Sequence, residues 1–209
     1  MSDKDEVDEE EEEIKVILVG EMGTGKTSLI NTAIGRQFQE KLASTTTNSI
    51  MNKIMKINGK TYSINLWDTI GQEKYRSLTK IFMKGAKIVI FVYDITSLNT
   101  FKELNYWFDS TKDIINEQTV MGIVGNKSDL FLKEEVKETD ARKLAKEKGF
   151  EFALTSAKNS TMFCEFLEKL IKKYLGEEID DEDNDDNDKK KGEKLKAQKD
   201  GTKGKKNCC

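Results

Sequence analysis

Between residues 14 and 175, short apolar runs alternate with amphipathic stretches. Residues 16–19, 89–93, 120–124 and 150–154 are largely apolar and rich in β-branched or aromatic side chains, the pattern of strands buried on both faces. Residues 50–57 and 61–67 flank Asn58-Gly59, the preferred pair for a tight hairpin turn. Helical spacing predicts helices over 26–34, 100–116, 139–148 and 161–175, with Gly149 as a stop after the third. In the last of these, Met162, Phe163, Phe166, Leu167, Leu170, Ile171 and Tyr174 form one apolar stripe, read as core, with Cys164 beside it as a structural thiol. Strands alternating with helices predict an α/β fold: a doubly wound, mainly parallel six-stranded sheet with helices on both faces and one antiparallel hairpin.

Charge divides the 209 residues into blocks. Residues 1–13 carry a net charge of -8, 14–176 carry +7, 177–188 carry -9 and 189–209 carry +7, so the total of -3 describes no single region. The two ends are charge-dense and nearly free of large apolar side chains, so burial there cannot offset the entropy of ordering. The expected organisation is a disordered acidic arm over 1–13, one folded domain over 14–176 and a disordered tail over 177–209. About 160 residues suffice for one substantial core. Three cysteines, two of them terminal, build no disulfide framework, and the acidic start is unlike a secretory signal, which together point to the cytosol. No apolar run approaches the ~18 residues of a membrane span, and the absence of His excludes histidine acid–base catalysis.

The sequence GEMGTGKT at 20–27 follows a strand pattern and opens a helical one, the context in which a phosphate-binding loop is meaningful. Gly20 and Gly25 let the backbone wrap an anion, facing it with amides and a helix N-terminus. Lys26 would reach the β- and γ-phosphates and the Thr27 hydroxyl would bind Mg²⁺. Such a loop does not choose the base. VGNKSD at 124–129 and TSAK at 155–158 each end an apolar strand, where open α/β sheets bind ligands. A carboxylate such as Asp129 accepts two hydrogen bonds from the N1–H and N2 amino group of guanine, a donor pair that adenine lacks. A TSAK amide would meet guanine O6.

With WDTIGQEKY at 67–75 added to these motifs, the chain resembles the Ras superfamily over roughly residues 14–175, and Rab proteins most closely. The resemblance implies the small G-domain of the P-loop NTPases, with a nucleotide site built from Gly20, Glu21, Met22, Gly23, Thr24, Gly25, Lys26, Thr27, Ser28, Phe38, Thr45, Asp68, Gly71, Asn126, Lys127, Asp129, Ser156, Ala157 and Lys158. Thr27, Thr45 and Asp68 would hold Mg²⁺, Asp68 through water. Gln72 would orient the attacking water, with Lys26 as the other catalytic group, and Phe38 would pack on guanine. Thr45 is assigned by its spacing of 18 residues from Thr27, since Thr46 and Thr47 adjoin it. Ile50, Trp67 and Phe82 fall where Rab proteins carry an exposed apolar effector triad, whereas Trp107 reads as packing.

The terminal Cys208-Cys209 resembles the Rab signal for geranylgeranylation of both thiols, and two chains are what stable anchoring requires. The resemblance implies a GDP/GTP switch in membrane trafficking, served by an exchange factor, a GTPase-activating protein, effectors, a prenylation escort and a GDP-dissociation inhibitor. It would act on the cytoplasmic face of an intracellular membrane and cycle through the cytosol; YRSL and VYDIT resemble endosomal members. Nothing in the chain matches a nucleic-acid readout motif. Met22, Ile70, Thr47 and Leu154 depart from the Rab pattern, and the first two keep open the alternative of a poorly hydrolysing, GTP-bound scaffold. A Ran-like transport GTPase is the other alternative, opposed by the two terminal cysteines.

Overall fold

A computed structural model describes residues 12–40, 45, 47–70 and 76–177. The apolar runs pair as one sheet of six strands: β1 (Glu12–Val19), β2 (Ser49–Ile57), β3 (Lys60–Asp68), β4 (Ile88–Asp94), β5 (Val120–Asn126) and β6 (Glu151–Leu154). Their order is β2-β3-β1-β4-β5-β6, parallel except between β2 and β3. The β2–β3 turn is Asn58-Gly59, both with positive φ, 48° and 84°, as a two-residue hairpin requires.

Strand β1 starts earlier than the charge pattern implies. Glu12 and Glu13 pair with Tyr62 and Ser63 of β3, and their carboxylates take bonds from Lys60 and Asn65, each at 3.2 Å. Two glutamates of the expected arm thus belong to the sheet through the β1–β3 ladder, with these exposed contacts beside it.

Among the described residues, six α-helices accompany the sheet: α1 (Lys26–Ala33), α2 (Arg76–Met83), α3 (Leu98–Lys102), α4 (Leu104–Thr111), α5 (Glu138–Lys148) and α6 (Ser160–Leu175). On one face Leu29 and Ile30 of α1 and Phe163, Leu167 and Leu170 of α6 pack on Val16, Leu18, Ile64 and Ile90. On the other, Met83, Leu104, Trp107, Phe108, Ala141 and Ala145 pack on Ile17, Val19, Val89 and Phe91. Burial on both faces explains why these strands read as continuous apolar runs. The α6 stripe is core as expected, and α5 ends at Gly149, φ 70°.

One helical expectation needs correction, and one helix is additional. The single helix expected over 100–116 starts at Leu98, is interrupted at Glu103 and ends at Thr111. The Ser110 and Thr111 hydroxyls donate to the Trp107 and Phe108 carbonyls at 2.8 and 2.7 Å, competing with helix propagation. Helix α2, of eight residues like α1, is additional to the helices that the spacing predicts. Strand β1 feeds leftward through α1 and β3 feeds rightward through α2, so the order reverses between β1 and β4. The loops beyond the carboxyl ends of these strands are where such sheets bind ligands.

Candidate functional site

Gly20 leaves β1 with φ 146°, and a Cβ there would stand 2.1 Å from the Val92 carbonyl oxygen of β4. Only glycine lets the loop pass so close. Gly25, φ 94°, opens α1; a Cβ on it would lie 2.3 Å from Asn126 Nδ2. That Asn126 amide donates to the Thr24 carbonyl at 2.8 Å. Lys26 is buried and its Nζ donates to the Gly20 and Glu21 carbonyls at 2.7 and 2.9 Å. Burial lowers its ammonium to about 8, against the opposing pull of Asp68 and Glu21. Near neutral pH the loop therefore still presents a cation to an anionic ligand.

Beside it three oxygen donors converge. Thr27 Oγ1 lies 2.7 Å from Asp68 Oδ2 and 2.7 Å from Thr45 Oγ1. Asp68 is fully buried, and its Oδ1 has no hydrogen-bond partner among the described residues. Burial raises the Asp68 pKa, partly offset by Thr27 and Lys26. A buried, orphaned carboxylate oxygen beside two hydroxyls suits a hard cation, and the donor set fits Mg²⁺. Among the described residues there is no cluster of three or more His, Cys, Asp or Glu. Mg²⁺ does not need one, since it is ordinarily held by one or two carboxylates together with substrate phosphates and water.

The third corner is assembled from β5 and β6. Ser128 N donates to the Thr155 carbonyl and Thr155 N to the Gly125 carbonyl, at 3.0 and 2.8 Å, binding the two loops together. Asp129 accepts from Ser156 Oγ at 2.7 Å and pairs with Lys158 Nζ at 2.8 Å. Burial alone would raise its pKa, but the bonds from Lys158 and Ser156 outweigh it and hold the carboxyl low, hence ionised. Lys127 adopts the left-handed conformation, φ 67°, and its Nζ reaches Asp94 Oδ2 at 2.5 Å. Lys158 Nζ also lies 5.8 Å from the Phe38 ring centroid.

One cavity of about 480 Å³ joins these corners. Met22, Gly23, Gly25, Lys26, Thr27, Ser28, Phe38, Thr45, Asn126, Lys127, Asp129, Ser156, Ala157 and Lys158 all line it. Gly20, Glu21, Thr24 and Asp68 do not line it and support it from behind. Gly71, Gln72, Cys208 and Cys209 lie outside the described residues. Gln39, Glu40, Thr69 and Leu130 also line the cavity, and the motifs did not reveal them. Nor did they reveal that Trp107 Nε1 donates to Glu21 Oε1 at 3.1 Å, because a buried Trp at helical spacing carries the same sequence signal as any core residue.

The model of the Ras family matches residues 15–176. The chain belongs to the Ras family. It is similar to the Ras-related protein Rab5 of Nicotiana tabacum, 36% identical over 159 residues covering 76% of this chain and 80% of the relative. The Ras-related protein Rab-11C of Dictyostelium discoideum is 34% identical over 165 residues, 78% of this chain and 74% of its own. The Ras-related protein SEC4 of Saccharomyces cerevisiae is 33% identical over 197 residues, 94% of this chain and 91% of its own. The protein is thus a Rab-like small GTPase of the Ras superfamily. In this GTPase Ile50 is 54% exposed and faces Trp67 across the β2–β3 register. The Trp67 ring lies 5.8 Å from that of Phe82, and Lys15 Nζ stands 3.9 Å from its centroid. Trp67 and Phe82 are both partly buried against the core, so they serve packing as well as surface.

Proposed function

We propose that this Rab-like GTPase binds GDP and GTP with Mg²⁺, hydrolyses GTP by in-line attack of water and recruits effectors in vesicle and membrane trafficking when GTP is bound. The observation that carries the reading is the shared cavity: a phosphate loop, a three-oxygen cation cradle and an ionised, guanine-competent carboxylate line or directly support one 480 Å³ space. Lys26 would hold the β- and γ-phosphates from the floor of the loop, with the α1 N-terminus facing the same charge. Asp129 would accept the two guanine donors, and Phe38 and Lys127 would flank the base. Mg²⁺, when bound at Thr27, Thr45 and Asp68, would neutralise charge developing between the β- and γ-phosphates. By resemblance, Gln72 would orient the attacking water and the Gly71 amide would meet the γ-phosphate. Such positioning and charge stabilisation is nearly all that a protein contributes to phosphoryl transfer.

Residues 177–209 would form a tail that joins the domain to a membrane through prenylated Cys208 and Cys209. No helix among the described residues is long and apolar enough to cross a membrane, and two lipid chains give the stable anchoring that one does not. Lysines of the tail would add ~1 kcal/mol each near an anionic leaflet. An exchange factor, a GTPase-activating protein, a prenylation escort and a GDP-dissociation inhibitor would serve the cycle, and Ile50, Trp67 and Phe82 would contribute to the effector surface. The test is single-turnover hydrolysis of GTP by the wild type, Gln72→Leu and Thr27→Asn, with and without EDTA. Hydrolysis that requires Mg²⁺ and is lost in both variants is expected. A wild type inert toward GTP in every condition would sink the proposal.

A further inference from the structure

Glu21 is a carboxylate in a loop whose task is to hold an anion. Turned toward the cavity, its charge would repel an incoming polyphosphate and compete with it for the Lys26 ammonium, which already feels Glu21 electrostatically. Its main chain is committed to the loop, since the Glu21 carbonyl accepts from Thr24 Oγ1 and Lys26 Nζ, both at 2.9 Å. Its side chain points elsewhere. Oε1 accepts the Trp107 indole N–H at 3.1 Å, and Glu21 does not line the cavity that its neighbour Met22 lines.

Trp107 is well suited to that duty. It is fully buried in α4, its ring 5.5 Å from Tyr106 in an edge-on contact. The indole therefore cannot turn to follow the carboxylate, and its N–H is a donor only. A bond from a fixed donor to a charged acceptor is among the stronger side-chain hydrogen bonds.

We infer that Trp107 is a positioning residue for the phosphate loop: its indole N–H holds the Glu21 carboxylate out of the phosphate cavity, leaving Lys26 to the nucleotide. This rests on the reading of that cavity as a guanine-nucleotide site. The role is electrostatic, so its loss scales with the charge of the ligand. The packing contribution of the indole, in contrast, affects every ligand and the fold alike.

The experiment is a double-mutant cycle on the full chain with Mg²⁺, using Trp107→Phe, Glu21→Gln and the double variant. Dissociation constants are measured for fluorescent GDP and GTP derivatives, beside thermal unfolding of each protein. Trp107→Phe is expected to weaken GDP binding about tenfold, equivalent to ~1.4 kcal/mol, and GTP binding more. In the neutral Glu21→Gln background the same change should cost at most about twofold. Equal losses in the two backgrounds, or equal losses for GDP and GTP, would overturn the role of Trp107. A wild type that binds neither nucleotide would instead overturn the assignment of the site. Where Trp107→Phe does not fold, the wild type and Glu21→Ala are compared by the indole N–H resonances of ¹⁵N-labelled protein. The Trp107 signal must move markedly and that of Trp67 must not; an unmoved Trp107 signal also overturns the inference.

Discussion

The Asn126 side-chain amide donates to the Thr24 carbonyl at 2.8 Å, joining the end of β5 to a loop 102 residues earlier in the chain. Asn126 is buried, and its Nδ2 lies where a Cβ on Gly25 would intrude. The end of β5 and the glycine-rich loop after β1 are therefore one mechanical unit. Thr155 Oγ1 extends the chain by donating to Asn126 Oδ1 at 3.4 Å.

Replacing Asn126 with Ala should leave the Thr24 carbonyl without that donor. A buried polar group deprived of its partner costs ~1–3 kcal/mol. The expected result is GDP dissociation accelerated by roughly tenfold or more, with a lowered melting temperature, both read from the same protein batch. An unchanged off-rate would mean that the tether is incidental to binding.

Tyr93 predicts the opposite sign. Its hydroxyl is buried with no hydrogen-bond partner among the described residues, and burial, with Glu134 and Glu138, raises its pKa. The ring itself packs edge-on to Phe101 at 5.0 Å. Tyr93→Phe removes the unsatisfied group and keeps the ring, so stability should stay level or rise by up to ~1 kcal/mol. Urea unfolding midpoints decide it, and a loss above ~1 kcal/mol would show a satisfied hydroxyl.

Glu151 opens β6 between two lysines of α6, bonded to Lys173 and 3.3 Å from Lys169. Burial would raise its pKa, but the two lysines outweigh it and hold the carboxyl below its ordinary 4.5. A depressed carboxyl contributes stability above its unfolded value, lost as pH falls through the lower folded value. Glu151→Gln should therefore cost up to ~1 kcal/mol at pH 7, discounted for partial exposure. The difference should shrink as pH falls below the ordinary carboxylate value and vanish once Glu151 is protonated in the folded protein. A gap that stays constant through the acid titration of both proteins would point to lost packing instead.

Met22 is 55% exposed, yet it lines the 480 Å³ cavity proposed to hold the nucleotide. A side chain at the open mouth of the site obstructs what arrives from outside more than what is bound within. Met22→Gly should thus change intrinsic GTP hydrolysis little and raise the rate stimulated by an activating protein several-fold, each tenfold requiring only ~1.4 kcal/mol. Single-turnover assays with and without the activator separate the two, and equal stimulated rates would make Met22 harmless.

Much of this was legible in the chain, for physical reasons. Strands buried on both faces leave unbroken apolar runs, and a hairpin that needs two positive φ values announces itself as Asn58-Gly59. The phosphate loop is readable because only Gly20 and Gly25 fit against Val92 and Asn126. The pairing of Glu12 and Glu13 with β3 was hidden because its ladder partners, Tyr62 and Ser63, are distant in sequence. Likewise the Trp107–Glu21 bond spans 86 residues, and periodicity around Trp107 reports only that the ring is buried. The early end of α4 lies in hydroxyls that bond their own helix, a choice that composition does not reveal.

The central claim is guanine recognition by Asp129, whose ionised carboxylate is oriented by Ser156 and Lys158. A carboxylate that bonds the guanine N1–H and N2 amino group would meet the acceptor N1 of adenine instead, so a site built to pair that donor pair discriminates strongly against ligands lacking it. The most direct measurement is calorimetry of GDP, ADP and XDP, each with Mg²⁺, on the wild type and Asp129→Asn. The account predicts that the wild type binds GDP at least a thousandfold more tightly than ADP, about 4 kcal/mol, and that Asp129→Asn shifts its preference from GDP to XDP. A wild type that binds ADP as tightly as GDP, or an Asp129→Asn protein that keeps its preference for GDP, would contradict it.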